Sequence, residues 1–120
     1  MLDRVVDCVT EEPHVGENLG EMRDLIGEQD PTVTQLELKR LTLRTIRKLL
    51  DSGKVYCGTE WDDSGRLLKC EADIETVLEH VDEIWSRRLE GSIDEAEFRY
   101  SLWFEWADWY RAELQERCVT

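Results

Sequence analysis

The sequence lacks a close cysteine pair, a long apolar run and a balancing share of positive charge, and each shortage removes a class of protein. The cysteines are Cys8, Cys57, Cys70 and Cys118, with no CxxC among them. Zinc sites usually take their ligands in close pairs, so no metal and no cofactor is expected. No apolar run exceeds three residues, as at Leu102–Phe104, which excludes a bilayer-spanning helix. The opening MLDRVVDCVTEEP has neither the basic start nor the apolar stretch of a signal peptide, so a cytoplasmic protein with reduced thiols is expected. There is no Gly-rich phosphate loop, nucleophile elbow or HExxH. The two histidines are His14, beside Pro13 in an expected loop, and His80, between Glu79 and Asp82 on an amphipathic segment. Neither has the surroundings of a catalytic base, and the chain is not expected to be an enzyme.

What is abundant is acid. Against 15 Lys and Arg stand 28 Asp and Glu, a formal charge of -13 over 120 residues. That length suits one domain with a core of its own. The charge is uneven. Residues 1–30 carry -7, residues 31–58 carry +4, and residues 59–120 carry -10.

The first segment is read as a short helix or strand, a loop at Pro13 and a helix around Leu19–Ile26, ended by Pro31. Thr34 with Glu37 forms a capping box, and Leu38, Leu41, Ile46, Leu49 and Leu50 continue at helical spacing to Asp51-Ser52-Gly53. Periodicity does not separate one helix here from two with a break near residues 40–42. KVYCGTEW and RLLKCE then read as strands around DDSG. A turn centred on Asp63-Ser64 would set Cys57 opposite Cys70, whereas a three-residue turn with a bulge at Gly65 would shift that pairing. Asp73 caps a further helix with Ile74, Val77, Leu78, Val81, Ile84 and Trp85 on one face, stopped at Gly91. Ser92 with Glu95 makes a second capping box and predicts a last helix over 92–118.

Helices, then a basic helix, then LLDSGKV and a strand, turn and strand resemble a winged helix-turn-helix domain. The resemblance rests on LTLRTIRKLLDSGKVYCG and covers residues 15–85. It implies a winged-helix-like body with a two-stranded β-hairpin and leaves the last helix unexplained; with that aromatic C-terminal helix added, the fold expected is mainly α, all in one domain. It also implies that Arg40, Thr42, Arg44, Thr45, Arg47 and Lys48 would enter a DNA major groove. The wing tip EWDDSG opposes this, because Glu60, Asp62 and Asp63 stand where phosphates would need bases.

The C-terminal stretch YSLWFEWADWYRAEL holds Trp103, Trp106 and Trp109. Wound as a helix, it places Tyr100, Trp103 and Tyr110 on one face and Phe98, Leu102, Trp106 and Trp109 on the next. Trp103 and Tyr110 are then expected in the core, with Trp106 and Trp109 exposed. A helix so widely apolar either wedges deep into the body or offers one face to a partner. On the second reading Trp106, Trp109, Leu102 and Phe98, with Glu105, Glu60, Asp62 and Asp63, form an aromatic and acidic surface suited to a basic protein. In general character the chain is similar to the small acidic immunity proteins that neutralise bacterial toxins, often nucleases with basic clefts. Two functions therefore stand side by side: a module that masks a basic protein partner, and a winged-helix regulator, dimeric through the last helix, that touches DNA through residues 41–51.

Overall fold

The computed structural model describes residues 17–119, and the expectations for Cys8, Pro13 and His14 lie outside them. The chain runs β1 (Glu17–Asn18), α1 (Leu19–Gln29), α2 (Gln35–Asp51), β2 (Val55–Gly58), α3 (Ile74–Glu90), α4 (Glu95–Arg99), β3 (Trp103–Trp106) and α5 (Asp108–Val119). The fold is mainly helical, with an antiparallel hairpin after α2 and a C-terminal helix, the arrangement the sequence implies.

The helix boundaries follow local chemistry. Asn18 caps α1 by accepting the Glu21 N–H at 2.8 Å. The Thr34–Glu37 capping box is formed in both directions. Asp73 caps α3, and Gly91 ends it in the left-handed region at φ 80°. Residues 35–51 form one helix without a break at 40–42, because Leu38, Leu41, Thr42, Thr45, Ile46 and Leu49 stay in phase on a single inward stripe.

The last segment differs from the single helix expected over 92–118. Asp94, not Ser92, caps α4, while the Ser92 amide and hydroxyl both donate to the Arg87 carbonyl and finish α3. Helix α4 lasts five residues. The Ser101 hydroxyl takes the Phe98 carbonyl at 2.8 Å, a local bond that competes with helix continuation. The aromatic run that follows has high strand propensity and enters the sheet as β3.

Strand β3 is the middle of a three-stranded antiparallel sheet of order β1-β3-β2. Val55 faces Trp106, Tyr56 faces Glu105, Cys57 faces Phe104 and Gly58 faces Trp103. Side chains alternate in a strand. Phe104 and Trp106 therefore join Val55 and Cys57 on the core face, with Leu19, Met22, Ile26, Ile46, Leu49 and Val81 of the helices. Trp103 and Glu105 point the other way. Trp85 meets Phe98 edge to face at 5.4 Å, which ties α3 to α4.

Candidate functional site

The hairpin between β2 and α3 organises the outer face of the sheet. Its tip is a three-residue turn in which the Asp62 amide donates to the Arg66 carbonyl and Gly65 takes φ 86°. The Asp62 carboxylate accepts the Ser64 amide, the Ser64 hydroxyl and the Arg66 amide at 2.9, 2.6 and 3.0 Å. Those bonds, the Ser64 hydroxyl first, hold its acid strength above that of an ordinary aspartate. The bulge at Gly65 sets Trp61 against Leu67. A second slip at Gly58 and Thr59, opposite Lys69, restores the earlier register, so the Cys70 amide still reaches the Cys57 carbonyl at 2.8 Å. The tip is thus the three-residue turn with Gly65, not the two-residue turn on Asp63-Ser64, and the second slip brings Cys57 and Cys70 back to one level. Both thiols are free, and burial pushes Cys57 up to about 11, leaving it protonated and unreactive at neutral pH.

The hairpin lies down on the sheet instead of projecting as a wing. A Cβ at position 58 would overlap the Leu68 carbonyl, so only glycine lets the return strand cross there. The single proton of the Tyr56 hydroxyl, on the outer face, is shared between the Leu67 carbonyl at 2.7 Å and Glu105 at 2.8 Å. Glu105 also accepts the Leu67 amide at 3.1 Å and Arg111 at 2.6 Å. Burial pushes this carboxyl up, but the bonds from Arg111, Tyr56 and Leu67 outweigh it and leave Glu105 below the usual range. Arg66 pairs with Asp108 at the start of α5.

Beside the clamped hairpin opens a cleft of about 980 Å³, bounded by the end of α2, the start of α3, the return strand and the first turn of α5. Leu50, Val55, Leu67, Ile74 and Val77 make it apolar, and Trp109 stands at its lip, 55% exposed, with its indole N–H on the Gly53 carbonyl at 3.2 Å. At the rim the Arg47–Glu75 and Arg66–Asp108 pairs cancel. Asp51, Asp62 and Asp73 then outnumber Lys69, leaving an acidic border. An apolar hollow with a few charged groups at its edge has the general form of a ligand-binding pocket. Among the described residues no cluster of His, Cys, Asp or Glu could hold a metal, and no helix is long and apolar enough to cross a membrane.

The expected partner surface is divided by this fold. Trp109, Glu60, Asp62 and Asp63 are exposed. Trp106, Leu102 and Phe98 are 4, 3 and 1% exposed and belong to the core, and Glu105 is the buried hub under the hairpin. Trp103 is half-buried on the outer face, the reverse of its expected place, while Tyr110 is buried as expected. The cause is one change of period: β3 alternates every second residue, which exchanges Trp103 and Trp106 relative to a helix.

A surface that the helical reading missed stands at the other end of β3. Trp61, from the hairpin, meets Trp103 edge to face at 4.9 Å, and Tyr100 stacks on Trp103 at 5.7 Å. Trp61 and Tyr100 are 43 and 55% exposed. The signal available in the sequence was the aromatic Trp61 inside an otherwise polar turn.

The basic helix is only partly available to DNA. Thr42 and Thr45 are fully buried, and their hydroxyls donate to the Leu38 and Leu41 carbonyls at 2.8 and 2.7 Å, so neither can read a base. Lys39 pairs with Asp82 and Arg47 with Glu75, both on α3. Arg40, Arg44 and Lys48 remain exposed on successive turns. No protein-family model, no curated protein and no solved structure matches the chain.

Proposed function

We propose that the protein is a binding module that docks and masks a basic protein partner, in the manner of an inhibitor or immunity-type protein. The observation that carries this reading is the apolar cleft with an acidic rim and a half-exposed tryptophan at its lip, on a chain of charge -13. An apolar anchor from the partner fits the hollow, basic residues around that anchor meet Asp51, Asp62 and Asp73, and the overall field speeds the encounter. The partner is a basic protein such as a toxin nuclease, and masking would place these carboxylates where its substrate phosphates sit. The module acts in the cytoplasm.

The test is capture of partners from a lysate of the source cell by the intact protein, followed by titration of the purified partner. A basic protein whose binding weakens with salt, and at least tenfold on Trp109→Ala, is the expected result. A partner that binds regardless of Trp109 and of salt overturns the reading.

The second reading, a winged-helix regulator, is favoured by the exposed ridge of Arg40, Arg44 and Lys48 alone. A fluorescence-anisotropy titration with generic duplex DNA separates the two. Binding in the micromolar range that weakens steeply with salt would favour the regulator.

A further inference from the structure

Trp61, Trp103 and Tyr100 form the one aromatic step of the described surface that joins three separate elements: the hairpin, β3 and the end of α4. Nothing in the fold requires its two outer rings to be open. Trp61 and Tyr100 are 43 and 55% exposed, although the Trp103 ring between them is half-buried. The ring planes are arranged in two ways at once. Tyr100 lies nearly parallel to Trp103, at 18°, and Trp61 nearly perpendicular, at 76°. Glu60 precedes Trp61 in the chain, Asp63 follows it by two residues, and Glu97 lies one helical turn before Tyr100; all three are exposed, while the neighbouring base Arg99 is paired with Asp24.

We infer that this step is an arginine-selective docking surface, on which a guanidinium group from a basic segment stacks against Trp61 and Tyr100 while Glu60, Asp63 and Glu97 neutralise the segment's charge. The inference rests on the proposal of a basic partner, and it adds both a second site and the side chain that site takes. The ring face is the electron-rich part of an aromatic and attracts cations. Arginine is favoured over lysine because its planar guanidinium is weakly hydrated and can lie flat on a ring, whereas an ammonium keeps its water. Acids alone would draw any cation and discriminate little between the two. The aromatic step is what makes the surface selective.

The probes are capped hexa-arginine and hexa-lysine peptides, titrated calorimetrically at low salt against the intact protein. Hexa-arginine is expected to bind about two- to fivefold more tightly than hexa-lysine, the range of a cation–π contact on a surface. Trp61→Ala and Tyr100→Ala should each remove most of that preference. Glu60→Gln with Asp63→Asn should weaken both peptides alike; Asp62 is left in place because it holds the turn. Should Trp61→Ala loosen the hairpin, seen as a lowered Tm, the Tyr100→Ala result still decides, since Tyr100 lies outside the hairpin. Equal binding of the two peptides, or a preference that survives both aromatic substitutions, overturns the inference. A basic partner that depends on Trp109 but shows no effect of Trp61 or Tyr100 overturns this inference and leaves the cleft reading intact.

Discussion

Glu95 and Glu105 lie ten residues apart and both anchor arginines, yet they hold the molecule together in different ways. Glu95 sits at the surface where α1, α3 and α4 meet. It takes Arg23 at 2.9 and 2.5 Å and Arg88 at 3.3 Å, with 41% of its side chain in solvent. Asp24 extends the network to Arg99. Glu105 is 8% exposed and binds one arginine, one phenol and one backbone amide, the last two from the strand and hairpin it clamps. The outer network can exchange protein partners for water. The inner one does so less readily, because the Leu67 amide is bonded to Glu105 out of reach of solvent and Tyr56 and Arg111 are only partly exposed. Arginine count does not measure the worth of a carboxylate; the alternative open to its partners does.

The largest effect should come from breaking the inner hub. Glu105→Ala takes an acceptor from Tyr56, the Leu67 amide and Arg111 at once, and a loss of about 3–5 kcal/mol is expected in chemical denaturation. A loss below about 1 kcal/mol would show that the hairpin does not depend on the hub. Gly58→Ala tests the same clamp from its backbone side. The added methyl meets the Leu68 carbonyl, and lifting the return strand should cost about 1–3 kcal/mol, with faster amide exchange over 60–68 than over α1–α3. The outer network should yield less. Glu95→Gln is expected to cost up to about 1 kcal/mol at neutral pH. It carries a pH signature: hydrogen bonds from Arg23, ahead of all other causes, hold Glu95 down to about 2. The stabilisation is then complete above the ordinary glutamate range near 4.5 and lost as pH falls toward 2, and the Gln variant should flatten that part of a Tm-against-pH curve. The smallest change belongs to Trp109→Ala, outside both networks. Its Tm should stay within the effect of about 1 kcal/mol, the range of a half-exposed residue with one long hydrogen bond, although partner binding falls. Large destabilisation by this variant would make Trp109 a structural strut of the Gly53 turn.

Much of the helical half was legible because each signal there is local. Thr34 with Glu37, Asp73 and Gly91 mark their own boundaries, and the Ile74–Trp85 stripe repeats often enough to fix its period. The Asp62–Gly65 turn was legible for the same reason. The sheet half was not, because its decisive partner is distant. Nothing near Trp103–Trp106 announces that residues 55–58 and 17–18 wait on either side. With the helical period assumed, Trp106 fell on the wrong side and Trp103 with it, whereas Trp109, inside a real helix, was placed correctly. Glu105 read as one more surface acid in a chain full of them, and only the fold reveals its burial and its three hydrogen-bond donors. The cleft and the aromatic step at Trp61 depend on the hairpin lying down, which Gly58 permits and no sequence period encodes.

The central place of β3 also sets an order of assembly. Both edge strands precede it in the chain, by 45 residues or more, so during synthesis neither has its hydrogen-bonding neighbour until residue 106 has emerged. The helices close short contacts and can form early, while the sheet waits for a distant segment to slot between two others, a slow kind of step. A nascent chain stopped after α4 would carry its hairpin without the hub that holds it down. A fragment ending at Arg99 is therefore expected to keep helical circular dichroism and to show no slowed amide exchange over 55–58. Protection there would mean that the hairpin supports β2 before its central partner arrives.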